Sequence, residues 1–93
     1  MSVRVHLPGY LQPFADGKSK VTLAASPRTA GEALAALWQL HPGVRDRVMT
    51  ETGEVRPHVN VFVNGESIRF TGGLETPVAE GAQLHIVPAV SGG

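Results

Sequence analysis

His58-Val59-Asn60-Val61-Phe62-Val63-Asn64-Gly65 is the stretch on which the fold turns. Its period-two alternation predicts a strand that turns Val59, Val61 and Val63 toward one face and Asn60 and Phe62 toward the other. Asn64-Gly65 follows, the strongest short hairpin signal, because both residue types accept positive φ. A short return strand is expected over Glu66–Arg69, then a turn at Gly72-Gly73 with Phe70 and Leu74 as core residues. Ala79-Glu80-Gly81-Ala82 reads as a further turn, and Gln83–Val87 as the last strand.

Upstream, residues 43–57 read as polar and irregular, with one helical turn around Arg45–Met49. Before them, Thr29-Ala30-Gly31-Glu32 is a Thr-x-x-Glu capping box, in which each side chain can satisfy an orphan backbone N–H. The helix it opens is expected from Ala30 to His41. Ala30, Leu34, Leu37, Trp38 and His41 fall on one stripe, with Trp38 in the core, and Pro42-Gly43 ends it. Val3–Leu7 alternates as a half-buried strand stopped by Pro8-Gly9. Tyr10–Lys18 is a loop whose Leu11 and Phe14 point to the core, with a turn at Asp16-Gly17, and Lys20–Leu23 is the second strand.

One amphipathic helix covers one face of one sheet. Trp38, Leu37 and Leu34 are therefore expected against Val3, Val5, Val21, Val61, Leu84 and Ile86. This order, with a last strand able to lie beside the first, predicts an α+β chain with a β-grasp architecture. A mixed sheet of four to five strands packs on one main helix. Residues 1–87 form the domain and 88–93 a flexible Gly-Gly tail.

The chain has 93 residues, enough for one domain, and its formal net charge is zero. With acids and bases interspersed it lacks the clustered footprint of a nucleic-acid binder. It has no cysteine, which excludes disulfides, thiolate nucleophiles and cysteine-ligated metals. No run approaches membrane-spanning length and none reads as a signal peptide, so a cytoplasmic protein is expected.

Pro88-Ala89-Val90-Ser91-Gly92-Gly93 makes sense as a thin cord that slides into a narrow cleft, since glycine carries no Cβ. Extended, the segment reaches on the order of 20 Å. Val59–Gly65, Arg69-Phe70-Thr71-Gly72-Gly73-Leu74-Glu75-Thr76 and the Pro-x-Val-x-Gly-Gly ending together resemble the ThiS/MoaD family of ubiquitin-like sulfur carriers. The likeness spans nearly the whole chain and is closest to the CysO-type branch of cysteine biosynthesis. It implies that Gly93 is the reacting residue, adenylated and then converted to a thiocarboxylate that donates sulfur.

The resemblance implies no intrinsic cofactor and no catalytic machinery in this chain, ATP being used by the activating partner. Its implied partners are a ubiquitin-activating-enzyme-like adenylyltransferase and sulfurtransferase, a sulfur acceptor and a metalloprotease that processes the tail. The acceptor is cysteine-synthase-like or a molybdopterin synthase large subunit; thiazole and thiolated tRNA are further destinations. The alternative is a ubiquitin-like modifier joined through Gly93 to target lysines. A β-grasp scaffold with a dispensable Gly92-Gly93 is the plainer remaining reading.

Contacts with partners are expected from Gly92, Ser91, Val90, Phe62, Val87 and His85. Phe62 and Val87 share the open sheet face, rimmed by Arg4, His6 and His85, which is the composition of a docking patch. His6, His41, His58 and His85 lack ligand-pair spacing, so no metal site is expected; His6 and His85 become neighbours if the first and last strands pair. Gly72-Gly73 lacks the strand-to-helix context and the Lys-Ser/Thr of a phosphate loop, and Ser91 has no paired base. No pair of carboxylates is placed for acid–base work.

Overall fold

The computed structural model describes residues 2–88. β1 (Val3–His6), β2 (Lys20–Leu23), β3 (Val59–Val63), β4 (Glu66–Ser67) and β5 (Gln83–Pro88) form one sheet in the order β2-β1-β5-β3-β4. β1 and β5 are parallel and the other neighbours antiparallel, so the sheet is mixed as expected. The alternation predicts the faces correctly. Val3, Val5, Val21, Leu23, Val59, Val61, Leu84 and Ile86 are all buried, toward the helix.

That helix, α1, runs Ala30–Leu40, and His41 caps it through an N–H that donates to the Leu37 carbonyl at 2.8 Å. Thr29 Oγ1 accepts from the Glu32 N–H at 3.1 Å. The return bond reaches one residue further than expected: Glu32 Oε1 accepts from the Arg28 N–H at 2.9 Å. Ala30, Ala33, Leu34 and Leu37 form the buried stripe, each leucine worth roughly 1.5–3 kcal/mol of burial. Trp38 is only partly buried, because the small Ala33 completes the stripe and leaves the indole at its margin.

The first turn of α1 is tied to the chain before β5. The Ala30 N–H donates to the Thr76 carbonyl at 2.9 Å and the Val78 N–H to that of Arg28 at 2.8 Å. Gly31 permits this approach, since a Cβ there would lie 3.1 Å from the Leu74 carbonyl oxygen.

Residues 43–57 are not irregular throughout. A second helix, α2 (Pro42–Val48), follows α1 directly, with His41 as the shared cap residue and Pro42 in the first turn. Proline has no N–H to lose there and its φ suits a helix start, so the pair read as a terminator is an initiator. Val44, Val48 and Met49 are buried. Tyr10–Lys18 is likewise more ordered than a loop: Gly9–Ala15 is a 3₁₀ segment that buries Leu11 and Ala15. Phe14 remains 36% exposed, its ring lying under the Arg47 guanidinium at 4.5 Å instead of in the core.

The Asn64-Gly65 turn has φ of 49° and 89° and joins Val63 to Glu66 directly. The return strand is shorter than expected. It stops at Ser67, and a 3₁₀ turn (Ile68–Phe70) takes over. That turn points Ile68 inward and leaves Phe70 88% exposed, so Phe70 is not a core residue, while Leu74 packs at the core margin.

Candidate functional site

The sheet face away from α1 is open, and strand register decides what it displays. Lys20, His6, His85, Phe62 and Ser67 stand in one row across all five strands. Beside that row Asn60 pairs with Val87, and Arg4 pairs with Gln83. Phe62, Val87 and His85 are thus brought onto one surface. Phe62 and Val87 are half-buried and His85 is exposed.

His6 and His85 are neighbours, their rings stacked at 4.2 Å and 5° from parallel. In its Nε2–H tautomer His6 donates to Gln83 Oε1 at 2.6 Å, which fixes the pair. Although the residue is exposed as a whole, the partial desolvation of its ring is the larger cause holding His85 below the ordinary histidine range, with the neighbouring His6 second. Two stacked cations are unfavourable, so a neutral His85 beside Phe62 is the preferred state near neutrality. Among the described residues, no three His, Cys, Asp or Glu side chains gather as a metal-binding group.

Two residues fix this face in ways invisible to pattern reading. Asn64 Oδ1 accepts from the Gln83 N–H at 2.9 Å, and the Asn64 N–H donates to the Gln83 carbonyl at 2.8 Å. The hairpin turn therefore also clamps the start of β5. Arg69 Nε donates to Asn60 Oδ1 at 3.2 Å. Its Nη2 donates to the carbonyls of Val59 at 2.7 Å, and of Pro57 and Arg56, both at 3.2 Å. This guanidinium fixes the start of β3, which lies opposite Pro88, the last residue of β5.

The ThiS family model matches residues 5–93, the stretch from β1 through Gly93. The chain belongs to the ThiS family. It is 38% identical over 95 residues to the sulfur carrier protein CysO of Mycobacterium tuberculosis, with all of both chains covered. The crystal structure of that CysO superposes with a TM-score of 0.85 at 37% identity, covering 95% of this chain and 99% of the other. A CysO chain in the Amycolatopsis orientalis BexX/CysO complex matches equally well, at 0.85 and 35% identity, with 98% and 99% covered. The structure of small archaeal modifier protein 1 from Haloferax volcanii follows at 0.81 and 35%, over all of both chains.

These likenesses make this ThiS-family chain a ubiquitin-like β-grasp protein, as its topology does independently. Of the expected contact residues, Phe62, Val87 and His85 share the open face. Gly93, Gly92, Ser91 and Val90 lie outside the described residues. No helix among the described residues is long and apolar enough to cross a membrane.

Proposed function

We propose that this chain is a sulfur carrier and acts as a cosubstrate, with Gly93 as the reacting residue. A partner adenylates the Gly93 carboxylate with ATP, releasing pyrophosphate; a sulfur donor displaces AMP to leave a thiocarboxylate, and that group delivers its sulfur to a biosynthetic acceptor. The observation that carries this reading is the end-to-end likeness to CysO, with the family match running through Gly93. Chemistry explains the need for a partner. A free α-carboxylate has a pKa of about 3.5 and is anionic at neutral pH, so nucleophiles avoid it. Adenylation removes the charge and supplies a leaving group. The thiocarboxylate that results is a softer nucleophile than the carboxylate it replaces.

The CysO likeness favours cysteine biosynthesis as the destination, and a cysteine-synthase-like enzyme as the acceptor. The activating partner is an adenylyltransferase and sulfurtransferase of the ubiquitin-activating type. Phe62, Val87 and His85 dock it, while Val90, Ser91 and Gly92 follow Gly93 into its cleft. A second reading has its own support. The chain is 42% identical over 65 residues to small archaeal modifier protein 1 of Haloferax volcanii, which favours conjugation of Gly93 to protein lysines as a parallel use of the activated end.

One assay separates the two. The chain is incubated with the activating enzyme, ATP and a sulfide source, and its intact mass is taken. Exchange of one oxygen for sulfur, absent when Gly93 is deleted, supports the carrier. Adducts to lysines of other proteins without that exchange favour the modifier.

A further inference from the structure

The root of residues 89–93 is basic, in a chain whose formal net charge is zero. β5 ends at Pro88 opposite Val59, and the residues leading into Val59 include Arg56 and His58. Arg69 lies against that segment through the carbonyls of Arg56, Pro57 and Val59. Arg56 in turn donates from Nε and Nη2 to the Asp46 carbonyl, at 3.2 and 2.8 Å. Arg47 lies over the Phe14 ring, and it shares a surface groove with Arg56, His58, the exposed Tyr10 and one acid, Asp46.

The nearby carboxylates do not neutralise these guanidiniums. Asp46 is 3.7 Å from Arg45, and Glu54 accepts from the Thr52 hydroxyl at 3.2 Å. Among the described residues, Arg47, Arg56 and Arg69 have no carboxylate within ion-pair distance. Carbonyl oxygens hold two of them and an aromatic ring the third. Those partners orient a guanidinium without cancelling its charge.

We propose that Arg47, Arg56, Arg69 and His58 form a basic collar that meets an acidic rim around the enzyme cleft that receives Gly93. The proposal rests on the reading of Gly93 as the reacting end. Residues 89–93 span at most roughly 17 Å when extended, so an enzyme that holds Gly93 in a cleft brings the mouth of that cleft close to Pro88. The collar then faces the mouth. Positive charge there, oriented but unneutralised, is matched by negative charge on the partner. Such a pair raises the rate of encounter and adds little to final affinity. The division of labour follows from chemistry: the apolar face around Phe62 supplies contact area, and the collar supplies orientation and speed.

The test is the charge reversal Arg47→Glu beside the charge-conserving Arg47→Lys. Arg47 is exposed, and among the described residues its side chain rests on the Phe14 ring alone, so both variants are expected to keep the wild-type thermal midpoint. With the purified activating enzyme, ATP and a sulfide source, pyrophosphate release is followed at low and high ionic strength. At about 0.05 M salt, Arg47→Glu should lower kcat/KM on the order of 10-fold with kcat unchanged, and the gap should close to about twofold at about 0.5 M. Arg47→Lys should match wild type throughout. Equal rates for Arg47→Glu and wild type at low salt, or a gap that persists at high salt, would overturn the collar. So would tighter binding of the chain to a single-stranded oligonucleotide than to the enzyme. A wild-type chain that is never adenylated would sink the carrier reading instead. In that event, the salt dependence of direct binding to the same enzyme still decides the collar, and salt-independent or undetectable binding overturns it.

Discussion

Replacing Asn64 by alanine removes two supports at once, and the structure separates them. The residue has φ of 49°, in the left-handed region, where a Cβ-bearing side chain costs about 1–2 kcal/mol and Asn escapes much of it. Its Oδ1 also accepts from the Gln83 N–H at 2.9 Å, an exposed bond worth about 0.5–1 kcal/mol net. Asn64→Ala should therefore cost about 2 kcal/mol, lowering the thermal midpoint by roughly 8–16 °C in a domain of this size. Asn64→Gly restores the backbone freedom and loses mainly the hydrogen bond, so its cost should be about half as large. Denaturant titration gives both values, and amide exchange reads Gln83 directly, which should lose protection in both variants. The reasoning fails if glycine is tolerated no better than alanine, or if the Gln83 amide stays as protected as in wild type. The consequence reaches the proposed docking face, because this clamp holds the register that sets Phe62 opposite His85.

Three further outcomes follow from the same geometry. Phe62→Asp should reduce transfer by the activating enzyme on the order of 100-fold or more while circular dichroism stays native, since the half-buried ring sits on the open face and not in the core; unchanged turnover would remove Phe62 from the interface. Gly31→Val should destabilise the domain by roughly 1–3 kcal/mol in a chemical melt, because its γ-methyls crowd a site where the Cβ alone stands 3.1 Å from the Leu74 carbonyl oxygen. Gly31→Ala adds only that Cβ, whose crowding about 1 kcal/mol of helix propensity offsets, and comes out near neutral. In an NMR titration His85 should protonate below the ordinary value of about 6.5, and His6→Gln should raise its midpoint only part of the way, because burial is the larger cause. The sign for stability follows: a histidine held low in the fold binds fewer protons there than when unfolded, so its contribution is complete above about pH 6.5 and is lost as the pH falls through the lowered value.

What could be read from residues alone was whatever rests on local periodicity. The alternation of Val59, Val61 and Val63, the Thr29–Glu32 cap and the Asn64-Gly65 turn carry their structural meaning within a few residues, and each took the expected form save that Glu32 reaches back to the Arg28 N–H and not to that of Thr29. Pro42-Gly43 misled because proline's preference is for a φ angle, which serves a helix start as well as a stop. Val44 and Val48, four apart and both buried, were the available signal of α2. Phe70 misled because the strand period ends at Ser67. In a 3₁₀ turn of about three residues, Ile68 takes the inward position and Phe70 turns away. On the open face, the His6–His85 neighbourhood followed once β1 and β5 were taken as paired. Arg69 could not be found that way. Its importance lies in bonds to carbonyls ten and more residues away, which no spacing along the chain encodes.

The position of β5 in the sheet ties these details to the proposed chemistry. A strand that leads into a reacting end would fray if it lay at the edge of a sheet, and each opening would change the length of cord available to the partner. β5 lies instead between β1 and β3, paired over five residues with β3 and over three with β1. Its far end is held at Pro88 opposite Val59, where Arg69 fixes the neighbouring backbone, and its near end by the Asn64 clamp on Gln83. The cord that leads to Gly93 therefore has a set origin relative to Phe62, Val87 and His85. In the proposed chemistry, a partner that bound the open face would by the same act fix where the chain enters its cleft. Arg69→Lys, which keeps the charge and loses the forked bonds to the Val59, Pro57 and Arg56 carbonyls, should for this reason lower sulfur transfer more than it lowers binding to the partner. Equal losses in paired transfer and binding assays would refute the reasoning.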